Sequence, residues 1–347
     1  MPPETRTTIR QLARLSGVSV GTVSRALNGY TDVNPDTRER IIRLARELDY
    51  TPAAAARTLV TQRSHVIGVF LDTGEGHPDL QHPFFLEVLV GLKARVGAEG
   101  YDLLLFASER PGNGYGDHAY LKRARHHNVD GVVLMGVDPA DEELRRLLRS
   151  ELPCVGVDVE LAGERTSFVM SDNVAGAAAA VRHLHDLGHR RIATITGLLD
   201  TKPGVDRVRG YREECSRLGL GYRDEYVVAG DFYFESGHAG ATRLLALDEP
   251  PTAIFAASDM AALGIVRAAA EHGTPVPDRL AVVGFDDIQM AQHVHPPLTT
   301  VAQDKAGLGA AAAAALLREV DGSEHVEPTT LPIKLVVRGS TAPPAGR

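Results

Sequence analysis

The chain has 347 residues, 44% apolar and 24% charged, ordinary proportions for a folded globular protein and enough length for two or three domains. No apolar run reaches the roughly 18 residues a membrane span needs, the start Met1-Pro2-Pro3-Glu4 lacks the layout of a secretory signal, and two distant cysteines, Cys154 and Cys215, exclude a disulfide scaffold and a cysteine zinc site and fit a reducing cytoplasm. The net charge of −8 hides an asymmetry: residues 1–63 carry ten arginines and six acids, the remainder 27 basic and 39 acidic residues, which suits either a nucleic-acid module on an acidic body or a chance bias of a solvated surface.

Three short helices are predicted over residues 8–50. Thr8 caps the first, whose apolar face is Ile9, Leu12, Ala13 and Leu15, and Gly17 breaks it. Ser19 caps the second, with Val20, Val23, Ala26 and Leu27 apolar, and Asn28-Gly29 ends it. Pro35-Asp36 opens the third, in which Ile41, Ile42, Leu44, Ala45 and Leu48 recur at helical spacing, and Pro52 stops it. Residues 53–62 form an alanine-rich stretch with too little apolar surface to be a stable helix alone. Helix, Gly17, helix and a third packing helix make a helix-turn-helix, with Ala13 and Gly17 supplying the tight contact and the bend. The second helix exposes Thr22, Ser24, Arg25 and Asn28. Arg25 can donate two hydrogen bonds to a guanine, and Ser19, Thr22 and Ser24 suit phosphates. A three-helix core with a polar exterior is the alternative.

From His65 the texture changes. Short apolar runs at 65–71, 101–106, 131–135, 154–159, 167–170, 191–196, 252–257 and 280–285 alternate with longer helical stretches, the pattern of parallel α/β units. Gly or Asp often follows the run, where ligands bind at strand carboxyl ends. Two similar series in about 280 residues predict two lobes with a ligand cleft between them. Ala310–Ala315 lie in a close-packed helix near 304–319, and 342–347 read as a frayed tail.

The segments 8–29 (TIRQLARLSGVSVGTVSRALNG) and 33–59 (VNPDTRERIIRLARELDYTPAAAARTL) resemble the head of the lactose-repressor/galactose-repressor (LacI/GalR) family. The rest resembles the family's body, and through it the periplasmic sugar-binding proteins, in Pro83-Phe84-Phe85, Ser171-Asp172-Asn173, Arg207-x-x-Gly210-Tyr211, Gly284-Phe285-Asp286-Asp287 and Pro297-Leu298-Thr299-Thr300-Val301. The resemblance implies an all-α helix-turn-helix head (1–52), a hinge helix or linker (53–63) and an α/β periplasmic-binding-protein-like body (64–341) of two doubly wound parallel-sheet lobes. Lobe N takes about 64–169 and 298–331, lobe C about 170–297 and 332–341, and the chain crosses between them near 168–171, 297–301 and 331–335. It also implies that Thr8, Ser19, Val20, Gly21, Thr22, Ser24, Arg25 and Asn28 meet DNA, with Ala56, Arg57 and Leu59 in the hinge. Leu59 would wedge into the minor groove, a known bending device. Ala53 departs from the family's usual Asn or Ser after the hinge proline, which puts one phosphate contact in doubt. Val20 and Gly21 are small and apolar, leaving more of the readout to Arg25 and the hinge.

For the cleft the resemblance implies Arg207 and Asp286 as the strongest polar ligands, then Asp158, with Ser258, a stacking Phe232, and Leu71, Thr73, Pro83 and Phe84 on the first lobe's side. Lys305 stands where some relatives have an aromatic. Facing the cleft it would favour an acidic or phosphorylated ligand, and solvent exposure is the expectation. His183, His185 and His189 lack an acidic third ligand, and His77, Asp79 and His82 read as a polar loop within a long 73–83 segment that suits a lid, so no metal is expected. Gly112-x-Gly114-x-Gly116 reads as a turn. No GxSxG, Walker A or HExxH sequence occurs, and nothing requires catalysis. The whole predicts a cytoplasmic, nucleoid-associated, homodimeric regulator that binds a pseudo-palindromic operator in double-stranded DNA, needs no cofactor and no membrane, and answers a small-molecule effector, most simply a sugar that releases a repressor from carbohydrate genes. A corepressor-dependent regulator with a purine-type ligand, or an activator, stays open. A solute-binding protein or an enzyme fits less well.

Overall fold

The computed structural model describes residues 7–27, 30–50, 63–72, 79–107, 119–221, 223–322 and 326–345. Asn28, the hinge residues Ala56, Arg57 and Leu59, Thr73 and His77 lie outside them. The chain divides into two compact units, 1–65 and 66–347.

The first unit packs α1 (Ile9–Ser16), α2 (Val20–Leu27) and α3 (Pro35–Glu47) around Leu12, Ala13, Val23, Ala26, Val33, Ile41 and Ala45. Thr8 caps α1 by accepting from the Gln11 N–H, and Asn34 caps α3 ahead of Pro35, a proline position that sacrifices no helical hydrogen bond. Gly17 ends α1 at φ +65°, a left-handed conformation that favours glycine. A Cβ there would meet no atom within 4 Å, so its backbone angle matters and not the close contact expected of it. Leu15 is 56% exposed and does not belong to the apolar face assigned to it. The buried residue of that turn is Ser16, which satisfies its hydroxyl on the Leu12 carbonyl.

The second unit holds two six-stranded sheets. In lobe N, β1 (Val66–Leu71), β2 (Asp102–Phe106), β3 (Gly131–Met135), β4 (Cys154–Val157), β5 (Thr166–Ser171) and β11 (Thr329–Leu331) lie in the order β11-β5-β4-β3-β1-β2. In lobe C, β6 (Ile192–Ile195), β7 (Val227–Val228), β8 (Ala253–Ala256), β9 (Ala281–Asp286), β10 (Thr299–Gln303) and β12 (Ile333–Val336) lie in the order β12-β10-β9-β8-β6-β7. Every pairing is parallel except β10 with β12. Central strands such as β3 and β9 are buried at every residue, which is why they read as continuous apolar runs and not as alternating ones.

Helices cover both faces of each sheet: α4 (Pro83–Ala98), α5 (Tyr120–His126), α6 (Glu142–Leu148) and α11 (Lys305–Val320) in lobe N, and α7 (Asn173–Asp186), α8 (Lys202–Arg217), α9 (Phe234–Leu245) and α10 (Asp259–Glu271) in lobe C. The chain changes sheets between β5 and α7, between β10 and α11, and between β11 and β12. The second crossing corrects the expected 297–301: Thr299–Ala302 pair with β9, so lobe N resumes at 305 and not 298. The first falls after Ser171, past the expected boundary at 169. The tail also departs from expectation, since the Ala342 carbonyl lies 2.9 Å from His189 Nε2 and docks residue 342 on lobe C.

The alanine-rich α11 lies against α4 at backbone contact. A Cβ on Gly309 would sit 2.0 Å from the Val88 carbonyl oxygen, and one on Gly91 would sit 1.9 Å from that of Ala306. Neither helix can yield without losing the core formed by Val88, Leu92, Leu308, Ala312 and Leu316. Gly309→Ala therefore destabilises the body by about 1–3 kcal/mol, the usual cost of overpacking, read as a lowered denaturant midpoint with an unchanged slope.

Candidate nucleic-acid interface and ligand cleft

In the head, the start of α2 is an exposed polar edge. Ser19 Oγ accepts from the Thr22 N–H at 3.0 Å and lies 2.9 Å from the Thr22 hydroxyl. Thr8, Ser19, Val20, Gly21 and Arg25 are exposed, and Thr22 and Ser24 are half-buried. Arg25 donates to Asp32 Oδ2 at 3.0 Å, with both side chains more than half exposed. A pair so open to water is worth about 0–1 kcal/mol, so it costs little to break.

In the body, a cavity of about 600 Å³ lies at the carboxyl ends of both sheets, within the ~300–1,000 Å³ usual for small-molecule sites. Its polar centre is Arg207 on α8, 3% exposed. The guanidinium donates to Asn173 Oδ1 at 2.8 Å and to the Ala257 carbonyl at 2.5 Å, and lies 3.7 Å from Asp286 Oδ1. The Phe285 ring is 3.8 Å from its central carbon and the Phe232 ring 5.5 Å, so the charge is held between aromatic faces. Asp286 accepts from Gln303 Nε2 at 2.7 Å through Oδ1, while its buried Oδ2 has no partner among the described residues.

Asp158, after β4, brings a second carboxylate, whose buried Oδ1 also has no partner among the described residues. Burial pushes its pKa up to about 6, against the pull of Arg207 and with a further push from Asp286. Below it, Asp259 is buried and accepts from the Thr300 hydroxyl at 2.5 Å and the Ile288 N–H at 2.8 Å, pinning the segment after Asp286. Burial holds its carboxyl well above the usual range. Four non-glycine residues of this region take positive φ: Asp158 (56°), Phe232 (76°), Asp286 (115°) and Asp287 (56°). Such angles cost on the order of 1–3 kcal/mol each and collect at ligand sites.

His82 faces the same cavity from lobe N and is 5% exposed. Its Nδ1 accepts from the Phe84 N–H at 3.4 Å to cap α4, which leaves the proton on Nε2, buried without a well-formed hydrogen bond. Burial lowers its pKa, and its ring stands edge-on to Tyr233 of lobe C at 5.3 Å. Farther along the wall, Asp72, Asp138 and Asp141 all raise the pKa of the Tyr120 phenol after burial, its largest cause. Glu160, Asp200 and Asp231 complete the carboxylates. Lys202 is bound to Asp206 at 2.6 Å and lies 3.5 Å from Glu160.

The structure thus brings Phe84, Asp158, Arg207, Phe232 and Asp286 to one cavity. Leu71 does not join them, because its side chain is in the lobe N core. Ser258 caps α10 through the Ala261 N–H and donates to the Phe232 carbonyl at 2.5 Å, so it supports Phe232 and does not face the ligand. Pro83 opens α4, and its neighbours His82, Phe84 and Phe85 make the wall. Lys305 is 4% exposed and does not face solvent. It donates to the carbonyls of Asp286 at 2.5 Å and Asp287 at 3.0 Å and pairs with Glu87 at 3.3 Å. Tyr233 and the Tyr120 cluster escaped sequence reasoning, and His82, expected in a polar loop, is instead the buried N-cap of α4 on the cavity wall. His183 and His189 meet Thr341 and Ala342, and among the described residues no group of three or more His, Cys, Asp or Glu side chains is placed to hold a metal ion.

Residues 8–53 match bacterial regulatory proteins of the lacI family, and residues 181–341 match a periplasmic binding protein-like domain. The chain is 36% identical over 335 residues to the HTH-type transcriptional regulator CelR of Thermobifida fusca, covering 96% of each chain. It is 33% identical over 345 residues to the HTH-type transcriptional repressor CytR of Escherichia coli, covering 97% of each. A CelR–cellobiose complex superposes with a TM-score of 0.73 at 33% identity, over 96% of this chain and 100% of that one. A lac repressor dimer bound to operator and the anti-inducer ONPF superposes with a TM-score of 0.83 at 27% identity, over 97% of this chain and 100% of that one.

The raised pKa of Asp158 has a signed consequence. Between the ordinary carboxylate range and about pH 6 the folded state binds more protons than the unfolded one, so this group's contribution to stability falls as pH rises and is lost above about 6. Asp158→Asn, tolerated at positive φ, raises stability at pH 7–8 by up to about 3 kcal/mol and flattens this part of the pH profile, measured by denaturant melts from pH 4 to 8.

Proposed function

This chain belongs to the LacI family of bacterial regulatory proteins, and from that premise we propose a homodimeric repressor of carbohydrate uptake or catabolism genes, released from its operator by a saccharide. It is a regulator and not an enzyme, and it acts on DNA in the cytoplasm at the nucleoid. One observation carries the saccharide reading: Asp286 Oδ2 and Asp158 Oδ1 are buried without partners among the described residues, beside the Arg207 guanidinium and the Phe232 ring. Two orphaned acceptors, a fixed donor fork and an aromatic face match the hydroxyl rim and apolar face of a sugar ring. That CelR was solved with cellobiose supports the same class.

Two heads on a two-fold axis read successive half-sites. Val20, Gly21 and Arg25 meet base edges, Thr8, Ser19, Thr22, Ser24 and Asn28 meet the backbone or flanking bases, and the hinge supplies Ala56, Arg57 and the Leu59 wedge. The exposed apolar pair on α4, Leu86 at 47% and Val90 at 64%, contributes to the contact between copies. Ligand weakens DNA binding to the extent that it favours one lobe arrangement over the other.

Selection from a random duplex pool at stated salt enriches a two-fold-symmetric site if this is right. Arg25→Ala then loses preference at one base pair per half-site, worth about 1–3 kcal/mol, and keeps ligand binding. Asp286→Ala keeps the operator and loses release by cellobiose. Loss of both activities in either variant removes its assigned role. Val90→Asp shifts sedimentation toward monomer and weakens operator binding; an unchanged dimer takes α4 out of the contact.

A further inference from the structure

We propose that the cleft selects its ligand by charge, taking a saccharide that carries no negative charge and rejecting phosphorylated or carboxylated forms of the same sugar. The inference rests on the saccharide reading and narrows it to a chemical class. Among the described residues eight carboxylates line the cavity, and the cations lining it are Lys202 and Arg207. Lys202 is engaged by Asp206 and Glu160, and Arg207 by Asn173, the Ala257 carbonyl and Asp286 through two of its three nitrogens, Nε and Nη1.

Lys305 offers no third cation. It does not line the cavity, and its ammonium is taken by two carbonyls and Glu87. Of the helix starts on the wall, those of α6 and α8 are occupied by side chains, while those of α5 and α9, at Ala119 and Tyr233, have no side-chain cap and stand among Asp72, Asp141 and Asp231. Asp141 caps α6 by accepting from the Glu143 N–H at 2.8 Å, and Thr201 caps α8 by accepting from the Gly204 N–H at 3.3 Å; both residues line the cavity. The orphaned atoms Asp286 Oδ2 and Asp158 Oδ1 accept and cannot donate while ionised. A hydroxyl or an ammonium satisfies them; a phosphate, rich in acceptors and bearing nearly two charges, adds like charge to a wall that already carries these carboxylates. The sugar must therefore be supplied by uptake or glycosidic cleavage that leaves it unphosphorylated.

The test is calorimetric titration of the full-length protein with matched pairs: cellobiose and cellobiose 6-phosphate, ribose and ribose 5-phosphate, cytidine and its 5′-monophosphate, with the dimer of glucosamine as the cationic member. The phosphorylated partner of any sugar that binds is expected to bind at least ten-fold more weakly, which is about 1.4 kcal/mol, and the gap is expected to shrink as salt rises. Asp72→Asn/Asp138→Asn is expected to narrow it further. A phosphorylated sugar that binds as tightly as its parent overturns this inference and leaves the saccharide reading standing. A gap unmoved by both salt and the double variant overturns its electrostatic cause. Binding of cytidine with no sugar bound overturns the saccharide reading and this inference with it, as does failure of every member to bind.

Discussion

The buried Arg207 guanidinium is the charge on which the cleft is assembled. An ionised group out of water is costly unless paired and hydrogen-bonded, and here desolvation is countered by Asp286, Asp158, Asp259 and Asp206. The dependence runs both ways: the same cation moderates the rise in the Asp158 pKa, which burial and Asp286 drive up. Asn173 and the Ala257 carbonyl fix its fork, and the rings of Phe285 and Phe232 fix its plane. The unusual backbone at Phe232 and Asp286 follows from that demand, because both residues must bring their side chains to one guanidinium from different loops.

The sheets were legible because central parallel strands are apolar at every position and their helices are not. That Gly or Asp often follows such a run pointed to the strand ends, but Asp158 and Asp286 themselves were singled out only by the family resemblance. β7, β11 and β12 escaped because they are short edge strands with no continuous apolar run, and β10 because Thr299–Gln303 reads as polar although four of its five residues are buried. Their pairing is decided by which lobe the chain has crossed into, a non-local matter. Ser258 and Leu71 show the same limit at the scale of one side chain: residue type and spacing put them beside the cleft, and a rotation toward a helix start or a core took them out of it.

The head was legible to a greater depth, because its signals are local. Caps at Thr8 and Ser19, the proline at the start of α3 and the left-handed glycine after α1 all act within four residues of where they stand. The contact between Arg25 and Asp32, seven residues apart and across a turn, has no such periodic signature. What a sequence hides here is the partner that a long charged side chain finds across a turn.

Lys305 carries a consequence for how such a protein changes over generations. Its ammonium joins α4, through Glu87, to the loop that holds Asp286, and it does so with main-chain carbonyls on the loop side. Carbonyls are present whatever side chain a position bears. Substitutions in the cavity wall, at Phe84, Tyr233 or Asp138, can therefore trade one sugar for another while this bond between the lobes survives. The wall is free to drift while the joint behind it is inherited intact.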